Sequence, residues 1–430
     1  MAKRRVLYVL HNHPAVHPGG AEAYAVELYE YMRGSADWEP LILARIGPNV
    51  AVTRSSRPGT PLSMVNGDAN QYFLFTETAH FDFFRMTYRD KELYVKHLSD
   101  FLLTVQPDVV HFQHTLFIGV DLISLVRQLL PDAAIVYTLH EFLPICHRDG
   151  QLVRTRHEER CLLESPRRCN ECFPTIAPQE FFLRKRFMQS HFSAVDRFLA
   201  PSHFLLDRYL DWGIPPEKIA FEDYGRIPVE PLEPVGPPPP RRVRLGFFGQ
   251  LNYFKGFLVL LRAMKLVAAK DPDVHLWIHG ANLELQEEQF QSEARALLEE
   301  TDDNVTLSGA YSHDELPRLM RDIDWVVVPS IWWENSPLVI QEAFSHRRPV
   351  IASDIGGMAE KVHDGVDGLH FRAGDVFSLA ETILRATASP DLWEALRNGI
   401  QPIFSMQQHV ENLSELYDGL CASRRREVAA

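Results

Sequence analysis

The chain has 430 residues, too many for one ordinary hydrophobic core, and 46% apolar with 23% charged residues is an ordinary globular composition. A net charge of −13 argues against a general nucleic-acid binder, which needs a basic face for phosphate contacts. No apolar run is long enough to cross a bilayer, and five cysteines are too few for a disulfide scaffold at this length.

The opening MAKRRVLYVLHNHP places positive charge before apolar residues, as a secretion signal does. VLYVL is too short for one and no small-residue cleavage site follows, so it reads as a first buried strand of a cytoplasmic protein. Helix-period spacing of Ala21, Tyr24, Ala25, Leu28 and Met32 predicts a helix over 21–33, stopped by Gly34. Further strand candidates are LILAR, DVVHFQH, AIVYTLH and RFLAPS in the first half, then RLGFFGQL, VHLWIHG, NVTLSG, WVVVPS and PVIAS. Continuous apolar runs rather than strict alternation indicate strands buried on both faces, and their alternation with helices predicts two doubly wound α/β domains.

A proline-rich stretch divides the two strand series. The expected plan is a first domain over 1–227 with a cysteine-rich insertion at 146–172, a linker over 228–242 and a second domain over 243–405. A C-terminal helix over 406–430 returns to the first domain. Doubly wound domains bind ligands at the carboxyl ends of their strands. His11, His13, His111, His114, His140, Glu141, Gln250 and Ser330 fall at such ends. In PSIWWENSPLVIQEAF, Ser336 is placed to cap a helix and Pro337 suits its first turn, which puts Glu334 in the preceding loop and Glu342 in the second turn.

Five ordered segments resemble the retaining GT-B glycosyltransferases of family 4. They are HPGGAEAYAVEL, TLHEF, LAPSHFLLDRYLDWGIPPEKI, FFGQLNYFKGF and the run from Pro329 to Phe371. The resemblance implies a nucleoside-diphosphate sugar as donor and a hydroxyl acceptor on a glycan or lipid-linked glycan. It also implies retention at the anomeric carbon and a role in polysaccharide or glycoconjugate synthesis. By it, Glu342 holds the ribose hydroxyls and Glu334 those of the transferred sugar, while Asn335, Ser336 and Leu338 offer backbone N–H groups at a helix start. Lys255 opens a helix and faces the diphosphate, Gly19 and Gly20 admit the donor closely, and His140 positions the sugar. Gln250 stands where relatives commonly carry arginine, and EDYGRIP replaces their usual Asn-Gly turn. Catalytic residues are then Glu334, His140 and Lys255, with no catalytic metal expected. A nucleotide-sugar epimerase and a non-catalytic binding module of the same architecture are the alternatives. Tyr311 is open to base stacking or core packing. His111 and His114 suggest an acceptor pocket, a metal pair or structure.

Cys146, Cys161, Cys169 and Cys172 cluster, with CNEC supplying a close pair, and a structural zinc is expected there ahead of two disulfides or four free thiols. Cys421 stands apart. FFLRKRF at 181–187 mixes aromatics with bases, as a peripheral membrane contact does, although packing against the first domain is the preferred reading.

Overall fold

Apolar runs without alternation do become strands covered on both faces. The computed structural model describes residues 3–16, 19–47, 62–65, 67–155, 159–232 and 241–429. The middle of the expected linker, residues 233–240, lies outside them. The chain divides into one unit of Met1–Gly225 with Ser405–Ala430 and a second of Arg226–Phe404.

The first unit contains β1 (Arg4–Leu10), β2 (Trp38–Ile46), β3 (Leu62–Val65) and β4 (Asp68–Phe75), then a separate hairpin of β5 (Phe81–Asp82) and β6 (Thr87–Tyr88). It continues with β7 (Val109–Phe112), β8 (Ala134–Thr138), β9 (Arg197–Ala200) and β10 (Ile219–Phe221). Among the described residues eight of these strands form one sheet in the order β10-β9-β8-β7-β1-β2-β4-β3. Pairing is parallel throughout except β3 on β4. Val6 to Leu10 of β1 and all of β7 and β8 are buried, as a two-faced sheet requires.

Helix Met406–Ala429 belongs to this unit. Tyr417 Oη stands 2.6 Å from His111 Nδ1, and the tyrosine ring meets Trp38 edge-on. His409 bonds Tyr24 Oη at 2.6 Å through Nε2 and Glu222 Oε1 at 2.8 Å through Nδ1. The helix thus supplies polar partners that the sheet's own buried groups would otherwise lack.

The second unit contains β11 (Arg244–Gln250), β12 (His275–Ala281), β13 (Val305–Gly309), β14 (Trp325–Val328), β15 (Val350–Ser353) and β16 (Gly368–Phe371). They form a parallel sheet in the order β13-β12-β11-β14-β15-β16. Its two faces bury separate apolar clusters. Leu245 and Phe247 join helix Phe257–Ala268 on one side, and Phe248 joins Ile340 and Met358 on the other. Period-two side-chain direction along β11 makes that division.

Candidate active site

The strand order reverses between β11 and β14 in the second unit and between β1 and β7 in the first. Ligands of doubly wound sheets bind outside the carboxyl ends at such a point. The polar residues of interest sit at both.

In the second unit the loops after β11 and β14 are pressed together. Ile331 N–H donates to Phe254 O at 2.9 Å. Gly256 has φ +71°, and a Cβ there would stand 1.8 Å from Pro329 O. On the other side Gly357 N–H donates to Glu334 O at 2.7 Å, and a Cβ on Gly357 would stand 1.5 Å from Asn335 O. Only glycine permits approaches this close, so loop 329–335 is clamped by backbone from both flanks.

The clamp aims Glu334. Its Oε1 accepts from Lys255 Nζ at 2.6 Å, Ser330 Oγ at 2.7 Å and Trp332 Nε1 at 3.0 Å. Glu334, Asn335 and Ser336 are buried. A buried carboxylate is tolerable because these donors and one cation replace its water. Glu342 is held separately: Arg226 Nη2 lies 3.2 Å from its Oε1 and His313 Nδ1 lies 3.9 Å away. Arg226 is buried, and its N–H donates to Phe404 O, tying together the two ends of the unit.

Two local expectations are corrected here. The helix begins at Leu338 with Pro337 at its cap, so Ser336 stands one residue outside it. Pro337 takes the cap itself with extended backbone, φ −62° and ψ 116°, and a residue that precedes proline is held out of the helical region. Lys255 likewise does not open a helix, because left-handed Gly256 caps Phe257–Ala268 and leaves Lys255 in the preceding turn. Gln250 is exposed at the end of β11 and accepts from Asn252 Nδ2 at 3.2 Å. Tyr311 meets Phe248 edge-on, 5.6 Å between centroids.

In the first unit Gly19 caps helix Gly20–Met32 with extended backbone. The first turn of that helix already carries an acid, Glu22, buried and 3.0 Å from His11 Nε2. Burial pushes the Glu22 carboxyl up, but the hydrogen bond and charge of His11 outweigh it and leave it below the usual range. A carboxylate at the helix start repels a phosphate and suits a ligand hydroxyl better.

His140 uses both ring nitrogens. Nδ1 lies 2.5 Å from Tyr224 Oη and Nε2 lies 2.9 Å from Gln113 Oε1, so Nε2 carries the hydrogen. Burial pushes its pKa down to about 3, against the opposing charge of Glu22. The ring is therefore neutral. The Gln113 amide nitrogen is buried and has no hydrogen-bond partner among the described residues. Beside it, His114 Nε2 lies 3.3 Å from Glu141 Oε1 while Nδ1 accepts from Leu116 N–H. Burial pushes Glu141 up to about 8, opposed by Arg184, and holds His114 well below its usual value. Their contact is a hydrogen bond between neutral groups.

His111 and His114 do not form a pair. His111 is fully buried between Tyr417 and Thr138, 2.7 Å from Thr138 Oγ1, because β7 turns it into the sheet's interior. An acceptor-pocket role for His111 is thereby removed. The four clustered cysteines border one small cavity and none is in a disulfide. Among the described residues no three His, Cys, Asp or Glu side chains already converge as metal ligands. In FFLRKRF, Phe181 and Arg184 are buried while Phe182 and Leu183 are exposed, and Lys185 pairs with Glu164 at 3.3 Å. The three bases therefore do not share one basic face. No helix among the described residues is long and apolar enough to cross a membrane.

Sequence reasoning passed over Arg226, Glu22, Gln113 and Trp332. Glu22 carried a signal, an acid three residues after Gly19, and Trp332 lay beside Glu334. Arg226 and Gln113 carried none, since their partners are distant in sequence.

Known proteins resemble this chain throughout. The profile described as Glycosyltransferase Family 4 matches residues 18–221, and that described as Glycosyl transferases group 1 matches 242–389. The lipopolysaccharide 1,2-N-acetylglucosaminetransferase of Salmonella typhimurium is 25% identical over 234 residues, covering 52% of this chain and 61% of that protein. A D-inositol 3-phosphate glycosyltransferase of a Mycobacterium strain is 34% identical over 150 residues, 34% of this chain and 32% of that one. The matches span between about a third and three fifths of these curated relatives. Among solved structures, sucrose-phosphate synthase of Thermosynechococcus elongatus superposes with a TM-score of 0.70 at 18% identity, over 98% of this chain and all of that one. Anabaena HepE in complex with UDP gives 0.67 at 15%, over 96% of this chain and all of that one.

Proposed function

The chain belongs to the family 4, group 1 glycosyltransferases and has their GT-B fold, and from that premise we propose that it moves a sugar from a nucleoside-diphosphate sugar to an acceptor hydroxyl with retention. The observation that carries the reading is the Glu334 node at the β11–β14 switch point, where one buried carboxylate meets Lys255, Ser330 and Trp332.

Its chemistry suits the task. Glu334 binds sugar hydroxyls beside the anomeric carbon, where positive charge grows as the bond to the diphosphate breaks. Lys255, drawn toward the arriving diphosphate, stabilises the leaving group. Glu342, oriented by Arg226, accepts from the ribose hydroxyls. On the front-face route the anomeric carbon exchanges its bond to phosphate oxygen for one to acceptor oxygen, and the acceptor proton passes to the departing phosphate. Positioning and electrostatics then supply the rate. Neutral His140 holds the Gln113 side chain, whose unpartnered amide nitrogen offers a hydrogen bond to the donor sugar or acceptor. The acceptor class is a glycan or lipid-linked glycan, with polysaccharide or glycoconjugate synthesis in the cytoplasm as setting.

The test combines a nucleotide-sugar panel, uridine donors first, with a thermal-shift screen, since ligands of the native state raise its apparent stability. Binding donors are then assayed with candidate acceptors. Nucleoside diphosphate released only with acceptor, in step with an α-linked product from an α-linked donor, supports transfer. An altered free sugar nucleotide without acceptor indicates an epimerase, and binding without turnover a non-catalytic module; either overturns the reading.

A further inference from the structure

We propose that Cys146, Cys161, Cys169 and Cys172 form a tetrathiolate zinc site that staples the segment following His140 and Glu141. Three separate local structures bring the four cysteines to the wall of one cavity. Cys146 ends a turn in which its N–H donates to Phe142 O at 2.8 Å. Cys161 lies beside the isolated antiparallel bridge of Val153 with Arg160, and its N–H donates to Leu152 O at 2.6 Å. Cys169 and Cys172 belong to helix Pro166–Cys172, and their spacing of three puts them on one helix face.

All four side chains border a single cavity of about 30 Å³, walled otherwise mainly by apolar groups including Leu152 and Phe181. That volume accommodates one ion, since a single water needs about 10–15 Å³. The sulfurs are not yet converged on a point, so the ion itself completes the site.

Arg184 supplies a second, independent observation. Its guanidinium is almost completely buried, yet it donates only to the carbonyl oxygens of Phe84, Pro144 and Leu143, at 2.6–2.7 Å. Among the described residues no carboxylate comes within ion-pair distance of it; its charge neighbours are Glu164 first, then Cys146, Cys169 and Glu141. A buried cation with no directly paired anion is costly. Zinc taken up by four thiols releases four protons and leaves a centre of net charge −2, which adds counter-charge near the guanidinium beyond that of Glu164 and Glu141. Four sulfurs also fill the tetrahedral shell and leave no open position, so the site is structural. Its beneficiary is the Glu141 loop, because Gly150 of the same segment lies against Glu141 Oε2.

Elemental analysis of the full chain, purified without chelator, tests this. The expected result is about one zinc per chain, lost about tenfold or more in Cys169→Ser and Cys172→Ser but kept in Cys421→Ser, a cysteine outside the cluster. If the serine variants fail to fold, wild-type protein loaded with cobalt gives the thiolate charge-transfer and visible bands of a tetrahedral site. Zinc content near zero with a featureless cobalt spectrum overturns the proposal. So do disulfides among these cysteines, iron in place of zinc, or zinc retained by both serine variants.

Discussion

Lys255 Nζ stands 2.6 Å from Glu334 Oε1, so the cation assigned to the diphosphate and the acid assigned to the sugar neutralise one another before any donor arrives. An incoming diphosphate competes for the lysine, while Ser330 and Trp332 keep the carboxylate in place. Lys255→Ala should raise the barrier of the chemical step by roughly 2–4 kcal/mol, the scale of losing one key electrostatic donor. Turnover at saturating donor is the measurement. A variant with nearly full turnover would assign leaving-group stabilisation to another group.

The two glutamates should separate by ligand. Glu342→Ala is expected to weaken nucleoside diphosphate and nucleotide-sugar alike, because both carry ribose. Glu334→Ala is expected to weaken the sugar-bearing donor and turnover while sparing the plain nucleoside diphosphate. Calorimetric titration of both ligands into both variants decides, and equal losses of plain nucleoside diphosphate would contradict the division.

Arg226 and Glu342 keep only 7% and 14% of their side chains exposed. Removing one partner strands a mostly buried charge, so Arg226→Ala should cost about 3 kcal/mol in urea unfolding and also weaken nucleoside diphosphate binding. A loss below about 1 kcal/mol would show that solvent already screens the pair.

Glu141 makes stability depend on pH in the less common direction. Its folded pKa of about 8 lies above its ordinary value of 4.5, so the folded state holds the proton more tightly. Its contribution is full below the ordinary value and declines as pH rises toward 8. Between about pH 5 and pH 8, wild type should therefore lose more stability than Glu141→Gln, whose neutral amide can still accept from Leu143 N–H. Parallel losses in the two proteins would mean that the folded carboxyl is already ionised at pH 5.

His140 and Glu334 were visible in the sequence because strand ends and helix starts are marked by short-range patterns, apolar runs broken by polar residues and proline. All ten strand candidates named from those runs became strands. Among the described residues six others were passed over, the short β3, β5, β6 and β10 and also β4 and β16. DANQYFLF and GLHF mix polar and apolar residues, and their strand form comes from pairing with β2 and β15. The same limit hid Arg226, whose partner Glu342 lies 116 positions away. The glycine clamp was half legible. Gly256 and Gly357 stand in recognisable turns, but the backbone they admit at Pro329 and Asn335 is a tertiary fact.

Helix Met406–Ala429 imposes an order on biosynthesis. A ribosome releases Arg226–Phe404 as one uninterrupted stretch, able to finish its sheet as soon as it emerges. Among the described residues the earlier unit has its strands by Phe221, yet His111 and Tyr24 wait for Tyr417 and His409, which are made only after the second unit. The unit begun earlier is thus completed after the one that follows it. Until then its nascent sheet holds buried polar groups without partners, and a ribosome stalled anywhere before residue 406 leaves that half unfinished.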